Sequence, residues 1–286
     1  MVEIVLLSGK GGTGKTSLSA AFATLGGNHV IADCDVDAAN LHLILQPDHY
    51  REEKFVTGQR AVIDPEKCSQ CGLCIDFCRF EAIADRNGEV AVSETLCDGC
   101  KLCSRICPSG AIQMVDCDKS RYYSGAFRNG FMVHARLAPG EENSGKLVSV
   151  VREEARRLAE ISGGRTIITD GPPGTGCPVI SSLTGADKVI LVTEPTRSGF
   201  HDLRRITELT AGFKIPVSVV VNKYDLNDDM TGQIQTWCLE SGIPVIGKIP
   251  FEPAVVEAML HFKSIVEWAP QSDAAKEIGA IFSACF

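Results

Sequence analysis

The sequence has no apolar run approaching the roughly 20 residues that a membrane-spanning helix needs. Positive charge is also scarce, because 28 Lys and Arg stand against 36 Asp and Glu and leave a net charge of −8. A surface for polyanions is therefore not indicated, and nucleic acid is not an expected partner. The first ten residues, MVEIVLLSGK, include an early acidic residue and an apolar stretch too short for a signal peptide. We therefore expect a cytoplasmic protein with no membrane partner.

Cysteine, by contrast, is abundant, with 13 residues among 286. Disulfides are rare in a reducing compartment, so regularly spaced cysteines indicate metal binding first. The pattern C-x2-C-x2-C-x3-C occurs twice, and the second copy follows the first at an offset of 29 residues. The first copy consists of Cys68, Cys71, Cys74 and Cys78, and the second of Cys97, Cys100, Cys103 and Cys107.

This spacing is typical of paired 4Fe–4S clusters, in which the fourth cysteine of each run ligates the other cluster. Cluster I is thus predicted at Cys68, Cys71, Cys74 and Cys107, and cluster II at Cys97, Cys100, Cys103 and Cys78. Residues 60–118 resemble a bacterial two-cluster ferredoxin, except that Arg79 stands where the pattern usually has proline, whereas Pro108 is present. A pair of zinc sites with four ligands each is the alternative, although zinc sites rarely use the run C-x2-C-x2-C-x3-C.

A glycine-rich run near the N-terminus is the second specific pattern. It fills G-x4-G-K-[ST] between the apolar segment 2–7 and the helical stretch TSLSAAFATLG. In such a loop the backbone N–H groups surround phosphates, Lys15 reaches the outer phosphates and Thr16 offers its hydroxyl to Mg²⁺. The predicted nucleotide-binding residues are Gly9, Lys10, Gly11, Gly12, Thr13, Gly14, Lys15, Thr16 and Ser17. A merely flexible glycine loop is the alternative.

Lys10 is one lysine more than the basic motif needs, and GKGGTGKT resembles the deviant phosphate loop of the MinD/ParA/Mrp group of ATPases. The resemblance implies that Lys10 reaches the nucleotide of a partner subunit, in a homodimer or in a heterodimer with a related ATPase. It also implies that Asp35 positions the attacking water, supported by Asp33 and Asp37. In TIITDGPPGTGC it makes Asp170 a carboxylate that holds Mg²⁺ through water, followed by the switch segment GPPG. A solvated lysine and a solvated acidic turn are the alternatives.

The segment VVVNKYD contains N-K-x-D after a strand, the pattern by which many GTPases bind guanine. The family resemblance instead implies a strand-end Asn that binds adenine, which favours ATP. Asn222, Lys223 and Pro250 are therefore expected beside the base and ribose. For Asp225 a plain strand-to-loop turn is the alternative.

The nitrogenase iron protein belongs to the same group and holds one cluster between its subunits through two cysteines from each. Cys177 lies seven residues after Asp170, at the place of one of these cysteines. Glu142 occupies the place of the other. We therefore do not expect an intersubunit cluster of that form.

Apolar strands at about 131–137, 165–170, 187–193, 216–222 and 244–249 alternate with amphipathic helices. This predicts an α/β P-loop NTPase with a doubly wound, mostly parallel sheet. The cysteine-rich module lies between two polar connections at 51–67 and 116–125. We thus expect an ATPase domain at 1–59 and 119–286 and an inserted small α+β ferredoxin domain at 60–118.

A two-cluster module in a dimerising ATPase predicts electron transfer gated by ATP. The expected cofactors are ATP, Mg²⁺ and two 4Fe–4S clusters. An unidentified acceptor metalloprotein is an expected partner, and ATP turnover is expected to be stimulated by a partner. The alternatives are an ATP-dependent factor that assembles or delivers metalloclusters, and a positioning ATPase whose clusters only tune dimerisation.

Overall fold

The computed structural model describes residues 1–141 and 143–286. The chain divides into two compact units, the first formed by Met1–Glu52, Tyr122–Ala135 and Ser144–Phe286, the second by Glu53–Arg121 and Arg136–Asn143. Glu142, on which the prediction about an intersubunit cluster depends, lies outside the described residues. No helix in the described part of the chain combines the length and apolar character that crossing a bilayer requires.

The strands are β1 (Val2–Ser8), β2 (His29–Asp33), β3 (Asp48–Phe55), β4 (Gly58–Ile63), β5 (Ile83–Arg86), β6 (Glu89–Val92), β7 (Ile112–Cys117), β8 (Ser120–Phe127), β9 (Gly130–Arg136), β10 (Thr166–Pro173), β11 (Lys188–Thr193), β12 (Val217–Asn222) and β13 (Val245–Ile249). The helices are α1 (Lys15–Leu25), α2 (Leu41–Leu45), α3 (Leu73–Asp76), α4 (Leu102–Ile106), α5 (Ser144–Ser162), α6 (Cys177–Leu183), α7 (Arg197–Ala211), α8 (Asp228–Glu240), α9 (Ala254–Leu260), α10 (Ile265–Trp268) and α11 (Asp273–Cys285).

Within the described residues, nine strands form one sheet in the order β13-β12-β11-β1-β10-β2-β9-β8-β3. The strands from β13 to β9 pair in parallel. Because helices cover both faces of a parallel sheet, its central strands are continuous apolar runs; in β1 the residues from Ile4 to Leu7 are at most 1% exposed. The predicted α/β architecture with a mostly parallel sheet is confirmed.

The two segments predicted as polar connections were assigned wrongly. Residues 51–67 contain most of β3 and all of β4, and residues 116–125 contain the end of β7 and the start of β8. In β3 only Phe55 is buried, while Glu52 and Lys54 are exposed. Because β3 is last in the sheet order, it is an edge strand, and edge strands carry charged residues that apolar patterning does not reveal.

The second unit contains two antiparallel strand pairs, β4 with β7 and β5 with β6. Its buried core includes Ala61, Cys74, Ile83 and Ile112. The sequence repeat is visible here, because Ile83 begins β5 and Ile112 begins β7 at equivalent places after the two cysteine runs. Each isoleucine is at most 6% exposed.

Candidate nucleotide site and cysteine sites

The glycine-rich loop joins β1 to α1 and depends on two glycines for different reasons. Gly14 has φ +87°, in the left-handed region that disfavours side chains, and a Cβ there would also collide with the Asn222 side chain. At Gly9 a Cβ would meet the backbone of Asp202 on α7. The loop is therefore packed closely against its surroundings at both ends of the motif.

A cavity of about 870 Å³ opens beside this loop. Ligand sites in such sheets lie outside the carboxyl ends of the strands, and this cavity has that position. The predicted residues that line it are Gly11, Gly12, Thr13, Gly14, Lys15, Thr16, Ser17, Asp35, Asn222, Lys223 and Pro250. Gly9, Lys10 and Asp170 are not part of the lining.

Asp170 lies beneath the loop as a fully buried carboxylate. Its Oδ1 is 2.7 Å from the Lys15 Nζ, and the two side chains are 0% and 6% exposed. The Thr16 hydroxyl donates to Oδ2 at 2.8 Å and the Ser19 hydroxyl to Oδ1 at 2.7 Å. The two predicted Mg²⁺ residues, Thr16 and Asp170, are thus in direct contact. Ser19 was not predicted, although its place one turn after Lys15 on α1 was a usable signal.

Asp33 holds both ends of the segment that contains Asp35. Its Oδ1 accepts from the Asp35 N–H and its Oδ2 from the Leu41 N–H, each at 3.2 Å. Burial raises the pKa of Asp33 to about 8, and the charge of Asp170 adds to this rise while Lys15 opposes it. Burial also raises the pKa of Asp35, against the lowering effect of Lys15. The sequence predicted Asp33 only as an acidic residue that supports Asp35. The structure shows in addition that Asp33 accepts the backbone hydrogen bonds that position the Asp35 segment.

Lys10 is engaged away from the cavity. Its Nζ lies 2.6 Å from the Glu194 Oε1 and donates to the hydroxyls of Ser198 at 3.0 Å and Thr196 at 3.3 Å. Glu194 also pairs with Lys223 at 3.1 Å. Glu194 was not predicted, although its place just after β11, a strand adjacent to β1, was a usable signal.

The N-K-x-D residues support neighbouring loops. The Asn222 Nδ2 donates to the Thr13 carbonyl at 2.8 Å, and the Lys223 Nζ donates to the Gly12 carbonyl at 3.0 Å. The Asp225 carboxylate accepts from the Phe251 N–H at 2.7 Å, which ties it to the segment that follows Pro250. This geometry gives Asn222 and Lys223 a role in holding the phosphate loop.

The eight regularly spaced cysteines line two cavities of the second unit. One is lined by Cys68, Cys71, Cys74 and Cys107. The other is lined by Cys97, Cys100, Cys103 and Cys78, and by Cys74 as well. In each cavity three cysteines of one run therefore meet the fourth cysteine of the other run.

The surroundings of these thiols differ. Burial raises the pKa of Cys74 and of Cys103, whereas a hydrogen bond from Ser109 lowers the pKa of Cys107. The Ala61 N–H donates to the Cys97 Sγ at 3.5 Å. Within residues 1–141 and 143–286 no group of three or more His, Cys, Asp or Glu is arranged to hold a single metal ion. A 4Fe–4S cluster instead distributes four thiolates over four irons.

Comparison with known proteins places the chain in a family. The model of the CobQ/CobB/MinD/ParA nucleotide-binding domain matches residues 4–265. An uncharacterized protein of Methanocaldococcus jannaschii, MJ0578, is 34% identical over 232 residues, which are 80% of each chain. Hydrogenase-4 component A of Escherichia coli is 34% identical over 92 residues, covering 32% of this chain and 43% of that protein.

Among solved structures, the septum site-determining protein MinD of Pyrococcus horikoshii, complexed with Mg-ADP, has the same fold. It superposes with a TM-score of 0.60 at 17% identity and covers 99% of this chain and 95% of its own. Members of the MinD/ParA family are ATPases, and nucleotide with Mg²⁺ is their expected ligand. The chain belongs to the CobQ/CobB/MinD/ParA family of nucleotide-binding domains.

Proposed function

We propose that the protein binds and hydrolyses ATP, and that its nucleotide state and dimerisation are coupled to electron transfer through two 4Fe–4S clusters. The observation that carries the proposal is the crossed grouping of the eight cysteines in two cavities of a chain whose other unit has a phosphate loop. Residues 60–118 are the inserted cluster domain in this proposal, and 1–59 with 119–286 are the ATPase domain. Its partners are a second copy or a related ATPase, and an acceptor metalloprotein.

In the nucleotide site, the N–H groups of the loop from Gly11 to Thr16 bind the phosphates. Lys15 exchanges the Asp170 carboxylate for the outer phosphates. The Thr16 hydroxyl, and Asp170 through water, would hold Mg²⁺, which would neutralise charge on the phosphates. Asp35, which lines the cavity, orients the attacking water. The Lys10 side chain serves the nucleotide of the partner chain.

In the second unit, the two cysteine sets hold the clusters, which exchange single electrons when bound. The donor set fits this group, because each cavity has four thiols in the crossed arrangement that two clusters share. Phe77, Phe80 and Met114 add apolar lining to the cavity of the Cys97 set. Arg79 stands where two-cluster ferredoxins usually have proline. Its guanidinium lies 4.6 Å from the centre of the Phe80 ring, a distance that allows a cation–π contact. The likeness to a hydrogenase component supports a role in electron transfer.

The test is metal and sulfide analysis of anaerobically purified protein. Two cubanes predict about eight irons and eight sulfides per chain, with a reducible EPR signal. Zinc without sulfide would contradict the proposal.

The crossed grouping gives a sharper form of the same test. Cys78→Ser should disturb the cluster of the Cys97 set and leave the other cluster intact, although Cys78 follows Cys74 closely in sequence. Cys117→Ser is the matched control, since Cys117 lines neither of the two cavities. Loss of the cluster held by the Cys68 set in Cys78→Ser would show an uncrossed arrangement. Transfer of iron from the protein to an apo-acceptor would favour a delivery factor instead.

A further inference from the structure

The lysine that the proposed function assigns to a partner's nucleotide is bound within its own chain. The Lys10 Nζ lies 2.6 Å from the Glu194 carboxylate, and the two side chains are 27% and 14% exposed. The Ser198 hydroxyl adds a second acceptor at 3.0 Å. In the single chain, the Lys10 ammonium therefore binds Glu194 and Ser198 near the start of α7, and Lys10 does not line the nucleotide cavity.

Both ends of this ion pair are fixed by the backbone. Beside Lys10, Gly9 packs so closely on Asp202 that a Cβ would collide with it. On the other side, the Glu194 carbonyl accepts from the Thr196 N–H at 2.8 Å and lies against Gly199. Exposed ion pairs contribute little because two mobile side chains must be ordered. Here the two side chains are only 27% and 14% exposed, and Lys10 has two further acceptors in Ser198 and Thr196, so the pair holds Lys10 more firmly than a surface contact would.

Glu194 also pairs with Lys223, and this second ion pair makes it easier to separate Lys10 from Glu194. Its Oε2 lies 3.1 Å from the Lys223 Nζ. Removing one partner of a buried pair is costly because the remaining charge is left uncompensated. When Lys10 departs, however, Glu194 keeps Lys223. The carboxylate can therefore release Lys10 without becoming an isolated charge.

We propose that Glu194 is a latch that holds Lys10 in the single chain and opposes ATP-dependent dimerisation until a second nucleotide-bound chain competes for the lysine. The inference rests on the proposed function, in which Lys10 acts on the partner's phosphates. Glu194 is then a positioning residue that acts through Lys10. If about one chain in ten has Lys10 free, the apparent affinity for the partner is about tenfold weaker for each lysine engaged.

The test is sedimentation of Glu194→Gln with a slowly hydrolysed ATP analogue. The glutamine keeps the shape of the side chain and removes its charge. We expect the protein concentration at half-dimerisation to fall about a hundredfold, about tenfold for each of the two lysines, with unchanged analogue affinity in dilute single chains. Glu194→Asp, which restores the charge, should return the midpoint toward that of the parent. Glu208→Gln, the same change at an exposed site on α7, is the matched control and should leave the midpoint unchanged.

Ser198→Ala provides a second variant if Glu194→Gln does not fold, because it removes one acceptor of Lys10 and leaves the carboxylate. It should shift the midpoint in the same direction by a smaller factor. A parent that does not dimerise with the analogue would refute the proposed dimer and the latch together. If the parent dimerises and Lys10→Ala does not, an unchanged or raised midpoint in Glu194→Gln, or in Ser198→Ala if only that variant folds, overturns the latch alone.

Discussion

The buried pair of Lys15 and Asp170 predicts a large coupling between two residues of the nucleotide site. In Lys15→Ala the Asp170 carboxylate, which is 0% exposed, keeps only the hydroxyls of Thr16 and Ser19. Breaking a buried ion pair from one side costs about 3–5 kcal/mol. Because two hydroxyl donors remain, we expect a loss of about 3 kcal/mol in the free energy of unfolding.

Removing both charges should recover part of this loss. In Lys15→Ala with Asp170→Asn no buried charge is stranded, so the double variant should be about 1–2 kcal/mol more stable than Lys15→Ala alone. Urea unfolding of the nucleotide-free protein, followed by tryptophan fluorescence, measures the cycle. Trp237 and Trp268 both lie in the first unit, so the signal reports on that unit. Strictly additive losses would show that Lys15 and Asp170 are not coupled. A Lys15→Ala variant that binds ATP as the parent does would contradict the assignment of Lys15 to the phosphates.

Three further predictions follow from the same site. In Asp35→Ala we expect ATP binding to be retained and the ATP turnover rate to fall about a hundredfold or more, because Asp35 orients the attacking water and does not bind phosphate. A turnover rate equal to that of the parent would contradict this role. Lys10→Ala should abolish the ATP-dependent dimer and keep nucleotide binding by single chains, so an unchanged dimer in sedimentation would make Lys10 a surface lysine. Because the pKa of Asp33 is raised to about 8, this carboxyl holds a proton in the folded chain that the unfolded chain releases above about pH 4, so the Asp33 contribution to stability should fall as the pH rises toward 8. Asp33→Asn should remove this contribution, and stability curves of variant and parent that run parallel over this pH range would contradict the assignment.

Much of the parallel sheet was predictable because its strands are local apolar runs. The predicted strand at 187–193 corresponds to β11 (Lys188–Thr193), and that at 216–222 to β12 (Val217–Asn222). The phosphate loop was equally visible, since its glycines, lysine and threonine are contiguous. In these places the sequence signal and the structure involve the same few residues.

The remaining features depend on contacts between residues that are distant in sequence. Lys10 and Glu194 are 184 residues apart, and Asn222 and Thr13 are 209 apart. No local pattern connects such pairs, although all four residues lie at or beyond the carboxyl ends of β1, β11 and β12, which are neighbours in the sheet. The edge strand β3 was missed for a different reason, because its charged residues resemble those of a loop.

Redox titration of the anaerobic protein, monitored by EPR, tests the coupling of nucleotide state to the clusters most directly. The titration is compared in the nucleotide-free, ADP and slowly hydrolysed ATP-analogue states, with the dimer confirmed by sedimentation in the last. Cluster potentials depend on net charge, on hydrogen bonds to sulfur and on solvent exposure, all of which dimerisation can alter. We expect at least one cluster to titrate at a different potential in the analogue state. Superimposable curves in all three states would contradict it.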